Sequence, residues 1–245
     1  MKRPVKMQKN VLITAALSKI GIVLSRAFRQ EGYYVFGLDL EEDYHNYCNR
    51  FFRFDLNRFV KDASYRIKFT AIFDEVIPKV NVLINNSTFS PFAELENIKL
   101  EDWQKALNVN LTGPMLLSKL FLDRLEDGGG CIINIASHQQ GINQAGMATR
   151  NCSNNALIGL TQAMSTDLKE FVRVNAISHQ ESKANEAAED SSPTENYEDR
   201  EHDTKASQFE GLAKMALFLA SEEAKFLTGR NFLLEKFSDS QLKKG

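Results

Sequence analysis

The sequence predicts an α/β fold: a doubly wound parallel sheet between helices, three layers in a single domain over residues 1–245. Three observations predict it. Short apolar runs alternate with longer helical patterns along the chain, as successive β-α units do. The apolar runs are nearly continuous rather than alternating, which suits strands buried on both faces. A chain of 245 residues, 43% hydrophobic and with 5 prolines, can also build a sizeable core.

The elements follow in order. Val11–Thr14 reads as the first strand, and Ser18 to Glu31 as a helix with an apolar stripe. Tyr33 to Leu40 is a second strand and Phe51 to Leu56 a third. A helix of mixed charge ends near Pro78, and Val82 to Asn85 is the fourth strand. Leu100 to Leu125 reads as one long helix that Pro114 bends. Cys131 to Ala136 is the fifth strand, Thr149 to Lys169 a helix, and Val172 to Ile177 the sixth strand. Ala213 to Ser221 is a helix and Asn231 to Leu234 the last strand.

Composition narrows the function. The net charge of -2 gives no basic footprint for nucleic acid. Cys48, Cys131 and Cys152 match no zinc spacing and read as reduced thiols, so no metal site is expected. No apolar run approaches the ~20 residues of a membrane helix, and the basic first ten residues lack a signal-peptide core, so a soluble, cytoplasmic protein is expected. Gln180 to Lys205 departs from the rest. It carries Glu181, Glu186, Glu189, Asp190 and further acids, and almost no large apolar residue. Such a stretch cannot bury enough surface to offset its ordering entropy, which predicts disorder; an acidic partner-binding loop is the alternative.

Several short motifs come in a fixed order. They are Thr14-Ala-Ala-Leu-Ser-Lys-Ile-Gly21, Asp39, Asp55-Leu56, Asn85-Asn-Ser-Thr88, Asn108-Val-Asn110-Leu, Ser137, Arg173-Val-Asn-Ala-Ile177, and Phe218-Leu-Ala-Ser-Glu-Glu-Ala through Leu227-Thr-Gly229. Together they resemble the short-chain dehydrogenase/reductase family over nearly the whole chain. That resemblance implies a Rossmann sheet binding NAD or NADP at the carboxyl ends of its strands. It also implies an oligomer, either of this chain with itself or with a relative from the family, built on the Leu100–Leu125 and Thr149–Lys169 helices.

The resemblance places the cofactor residues at Thr14, Ser18, Lys19, Ile20, Gly21, Asp39, Asp55, Leu56, Asn85 and Ser87. The family's first turn reads Thr-Gly-x-x-x-Gly-x-Gly; here the first two glycines are Ala15 and Lys19, and Gly21, which packs helix on strand, remains. Ala15 is a mild change if its φ stays negative. Lys19 either crowds the phosphates or pairs with one as a point charge. Asp39, at the end of the second strand, is either a solvated turn residue or the acceptor of the adenosine ribose hydroxyls, in which case the dinucleotide is NAD. Asp55 fits the family's adenine-contacting acid with the same alternative. Thr88 stands where the family has a glycine beside the cofactor, a crowding change. Ser178-His179 replaces the usual Pro-Gly after the sixth strand.

The catalytic motif is altered more deeply. The family pairs a serine with Tyr-x-x-x-Lys about a dozen residues on. Here Ser137 is followed by Met147-Ala-Thr-Arg150-Asn-Cys-Ser153-Asn154, so Arg150 holds the tyrosine position and Asn154 the lysine position. The family mechanism lowers a phenol pKa from about 10 with a neighbouring ammonium, so that the phenol trades a proton with the substrate oxygen. A guanidinium stays protonated at any working pH, and an amide supplies no charge. Ser137 and Asn110 match the family's polarising serine and relay asparagine, or they are ordinary strand-end and helix-breaking residues. His138 and His179 flank the site as loop histidines or replacement bases; with Arg150 they could form a small cationic pocket.

Three functions are compatible with these residues. One is a pseudoenzyme with a binding or regulatory role. The second is a divergent NAD(H)-dependent oxidoreductase using Ser137 with a non-tyrosine acid such as His138. The third is a non-catalytic subunit of an active relative.

Overall fold

The computed structural model describes residues 8–126, 129–137, 145–168, 171–179 and 204–234. Seven strands form one parallel sheet: β1 (Asn10–Thr14), β2 (Tyr34–Asp39), β3 (Arg50–Arg53), β4 (Val82–Asn85), β5 (Cys131–Ser137), β6 (Arg173–His179) and β7 (Asn231–Leu234). Their order is β3-β2-β1-β4-β5-β6-β7, and every neighbouring pair is parallel. The winding reverses between β1 and β4, which sets a crevice at their carboxyl ends. The predicted fold class is that of the structure.

Period-2 alternation within the buried strands divides the core. Leu12, Phe36, Leu38, Leu83 and Ile132 face one side, where Phe52, Phe54, Phe59, Phe69, Phe73 and Phe121 pack together. Their rings meet edge-on or tilted, as in the 5.0 Å T-shaped pair of Phe54 and Phe69. Val11, Ile13, Val35, Val82 and Ile133 face the other side, against Leu24 and Phe28 and against Leu212, Ala216 and Leu219. Both faces are therefore covered, and the three layers follow.

Helix α1 (Lys19–Gln30) begins at Ser18, whose hydroxyl accepts the Gly21 amide at 3.1 Å. It ends at Gly32, whose φ of 81° lets Tyr33 N–H close on Phe28 O. The third strand is shorter than predicted: Leu56 opens helix α2 (Leu56–Lys61), because the Asp55 carboxylate caps it by accepting the Arg58 amide at 2.9 Å. The predicted mixed-charge helix is two helices. Asp62, with φ −109°, breaks the run and caps α3 (Ala63–Val76) through the amides of Ser64 and Tyr65.

The predicted long helix is also divided, into α4 (Leu100–Leu107), a π-helical turn at Asn108–Thr112, α5 (Gly113–Leu120) and α6 (Leu122–Glu126). The distortion lies one turn before Pro114 rather than at it. Proline has no N–H for the carbonyl four residues back, so the ladder widens there. Helix α7 (Ala148–Asp167) matches its prediction closely, while α8 (Thr204–Ala220) starts well before Ala213. Thr204 and Lys205, at the end of the predicted disordered stretch, thus open a helix; 180–203 lie outside the described residues. No helix among the described residues is long and apolar enough to cross a membrane.

Candidate functional site

A parallel sheet puts the last residue of every strand on one edge. Thr14, Asp39, Asn85, Ser137 and His179 end β1, β2, β4, β5 and β6. The residues singled out by motif are thereby gathered along the carboxyl edge of the sheet, on either side of the winding reversal.

The turn between β1 and α1 is closed without the first two glycines of the family motif. Ala15 has φ 47°, the left-handed region, so the condition under which alanine would be a mild change is not met. The turn is held from several sides. Ser18 Oγ donates to Ala15 O at 2.8 Å, and Asn86 Nδ2 donates to Ala15 O at 3.1 Å and to Ser18 Oγ at 3.0 Å. Thr14 Oγ1 accepts the amides of Asn86 and Ser87 at 2.9 and 3.0 Å, tying the β4 loop to β1. A Cβ on Gly21 would lie 2.1 Å from Ala15 O, so this glycine is required by backbone packing. Lys19 and Ile20 occupy the first two helical positions, whose amides an α-helix leaves without intrahelical partners. Lys19 is exposed rather than folded into the turn.

Asp39 is partly buried. Its Oδ2 accepts the Leu17 amide and its Oδ1 the Leu40 amide, at 2.8 and 2.7 Å. Burial raises its pKa, opposed by these amides and that of Glu41. Three backbone amides thus share the four lone-pair directions of the carboxylate. Asp55 is used as the α2 cap, and Leu56 is buried beside Gly113, where a Cβ would meet it at 2.7 Å. Thr88 is exposed and its hydroxyl pairs with that of Ser90 at 3.2 Å.

On the catalytic side, the substituted residues bond to the surviving ones. The Arg150 guanidinium donates to Ser137 Oγ. Asn154 Oδ1 accepts the Ser137 amide at 2.8 Å, and its Nδ2 donates to Arg150 O at 3.0 Å. Arg150 and Asn154 are each 5% exposed. Asn110, in the π-helical turn, accepts from Phe89 N at 2.7 Å and donates to Phe89 O and Ser153 Oγ, both at 2.9 Å. The π turn aims this side chain at the β4 loop and α7, which it bridges.

His179 is not a loop residue. It is the last residue of β6, buried, in register with Ser137 of the neighbouring strand, and its ring lies 6.5 Å from that of Phe209. Ser178, in the family's proline position, donates to Asn231 Oδ1 at 2.7 Å. His138 lies outside the described residues. A buried amide chain went unpredicted: Asn85 Nδ2 donates to Asn134 Oδ1, and Asn134 Nδ2 to Thr161 Oγ1, each at 2.8 Å. The signal for it was Asn134, a polar residue in the middle of the otherwise apolar run from Cys131 to Ala136.

Among the described residues no group of histidine, cysteine or acidic side chains could hold a metal. Burial pushes the thiol pKa of Cys48 up to about 12 and that of Cys131 up to about 11. Cys152 is exposed.

Comparison with known proteins agrees with this architecture. The family model described as enoyl-(acyl carrier protein) reductase matches residues 15–236. The chain belongs to the short-chain dehydrogenase/reductase family, a family of oxidoreductases. It is 30% identical over 237 residues to an uncharacterized oxidoreductase of Thermotoga maritima, covering 90% of this chain and 93% of the relative. It is 27% identical over 237 residues to an NAD-dependent glycerol dehydrogenase of Listeria innocua, covering 93% and 92%. A short-chain dehydrogenase/reductase-family oxidoreductase from Brucella ovis, solved in complex with a partially ordered NAD, shares the fold with a TM-score of 0.72 at 20% identity, over 93% of this chain and 100% of that one.

Proposed function

We propose that this protein keeps the family scaffold, lacks the family's tyrosine–lysine proton chemistry, and acts by binding rather than by turnover. The observation that carries this reading is the bond from the Arg150 guanidinium to Ser137 Oγ. The group at the tyrosine position cannot give up a proton at neutral pH, and it engages the hydroxyl that would polarise a substrate oxygen. Asn154 supplies no positive charge to lower any pKa nearby. Asn110 is engaged on Phe89 and Ser153 rather than in a proton relay. Losing a positioned acid/base costs about 10²–10⁴ in rate.

NAD(H) remains the dinucleotide the crevice suits, since Asp39 at the end of β2 favours two free ribose hydroxyls over a 2′-phosphate. Bound there, NAD(H) would supply hydride chemistry; the residues on this chain would only hold and orient it. The test is NADH consumption with a panel of aldehydes, ketones and keto acids, by the wild type and Ser137→Ala. Equal, background rates are expected. Turnover that Ser137→Ala abolishes would overturn the reading.

A second reading, a divergent NAD(H)-dependent oxidoreductase, is favoured by the register of His179 with Ser137. In it His179 is the acid. It requires turnover that is lost in both Ser137→Ala and His179→Gln.

A further inference from the structure

We propose that a groove at the amino edge of the sheet, opposite the crevice, binds a small zwitterion with a flat apolar body, of the class of an aromatic α-amino acid. The groove offers about 460 Å³, a volume typical of small-molecule sites. It lies between the starts of β1, β2 and β3 and the last turn of α3. None of the residues singled out by motif lines it. A ligand held there would not touch the crevice, so the site is independent of the function proposed above.

Strand periodicity builds the floor. Tyr34 and Phe36 stand two apart on β2 and so share one face of the sheet. Their rings are tilted, with centroids 4.9 Å apart. Strand β2 lies between β1 and β3, with Tyr34 in register with Asn10 and Phe36 in register with Arg50. Parallel neighbours in register present their side chains to the same face, so Asn10 and Arg50 flank the two rings. Asn10 is fixed, because its Nδ2 donates to Lys79 O at 2.8 Å and pins the start of β1 to the segment after α3. Glu75 and Val76, in the last turn of α3, form the facing wall.

Two charges of opposite sign line this groove without ion-pair partners. The ion pairs among the described residues join Arg53 to Glu42, Arg58 to Asp62 and Arg124 to Asp74, and leave out Arg50 and Glu75. The last turn of α3 holds no basic residue, so its terminal carbonyls add partial negative charge beside Glu75. An ammonium is favoured at that wall. A carboxylate is favoured at Arg50, whose planar fork takes it through two parallel bonds. Between the two charges, the rings of Tyr34 and Phe36 offer a surface for an aromatic body. A ligand with one charge leaves one wall unanswered, and one with both charges but no ring leaves the floor wet.

The test is a heteronuclear NMR titration of the full-length protein with L-phenylalanine, phenylpropionate, phenethylamine and glycine, repeated with Arg50→Gln and Glu75→Gln. L-Phenylalanine is expected to shift the amide signals of Tyr34, Phe36, Arg50 and Val76 saturably at millimolar concentration. Each of the other three compounds is expected to bind more weakly by about threefold or more. Arg50 and Glu75 are exposed, so both variants keep the fold. Each is expected to weaken L-phenylalanine by about threefold. Arg50→Gln should leave phenethylamine binding unchanged, and Glu75→Gln should leave phenylpropionate binding unchanged. No saturable shift at these amides would overturn the inference. So would phenethylamine or phenylpropionate binding as tightly as L-phenylalanine, because only one wall would then be in use. Unchanged L-phenylalanine affinity in either variant would also overturn it. Carbonyl-dependent NADH consumption, which tests the proposed function, is read at the other edge of the sheet and moves independently.

Discussion

Ala15 is held in a conformation that its own side chain disfavours. Its φ of 47° is a conformation that costs an L-residue roughly 1–2 kcal/mol and a glycine nearly nothing. The turn persists because Thr14, Ser18, Asn86 and Gly21 determine it from outside. Ala15→Gly is therefore expected to stabilise the protein, by about 1 kcal/mol after the extra freedom glycine gives the unfolded chain. Urea denaturation of the two proteins checks this. The cysteines make a second residue-scale prediction. With pKa values of about 12 and about 11, Cys48 and Cys131 carry almost no thiolate at pH 8. Ellman's reagent should titrate Cys152 rapidly in the native protein, and the other two only on unfolding. At this scale the sequence showed which residues had changed, since Arg150 and Asn154 follow from spacing to Ser137. It did not show that they bond to that same serine, because those contacts arise only when β5 and α7 are packed side by side.

At the scale of elements, side-chain caps rather than apolar periodicity set the boundaries that pattern reading missed. Asp55 and Asp62 each begin a helix inside what reads as one continuous stretch. Asp62 makes a test of this. Bonds from the Ser64 hydroxyl and the Tyr65 amide, with the Arg58 guanidinium beside them, lower its pKa from 3.8 to about 2. A depressed carboxylate stabilises the fold above its unfolded pKa, and that contribution is lost as pH falls through the folded value. Between pH 5 and pH 2 the melting temperature of the wild type should therefore fall more than that of Asp62→Ala, which lacks the contribution throughout. The division of the helix at Asn108–Thr112 was half legible: Pro114 announced a disturbance, and the missing N–H moved it one turn upstream. His179 was misplaced because Ser178 and His179 look like loop residues, yet Asn231 and Phe209 supply partners that let β6 continue.

For the whole molecule, a parallel sheet with helices on both faces was readable because buried strands must be apolar throughout, and the helices between them carry the longer helical period. The phenylalanine cluster under β1–β3 is a product of that arrangement. Phe73 is fully buried and touches the rings of Phe52, Phe54, Phe69 and Phe121, so Phe73→Ala is expected to cost roughly 3–5 kcal/mol of folding stability, read by denaturant titration. The same topology lines up the residues at the strand ends along one crevice whether or not chemistry follows. Gly21 is required by the packing of α1 on the β1 turn, while Arg150 and Asn154 make internal bonds.

The central claim, that hydride transfer through Ser137 has been lost, is tested most directly by single-turnover deuteride transfer. Enzyme in excess over 4-deuterated NADH is mixed with a carbonyl panel, and the alcohol products are analysed by mass spectrometry. The account predicts deuterium incorporation no greater than with Ser137→Ala. Incorporation by the wild type that Ser137→Ala abolishes would contradict it.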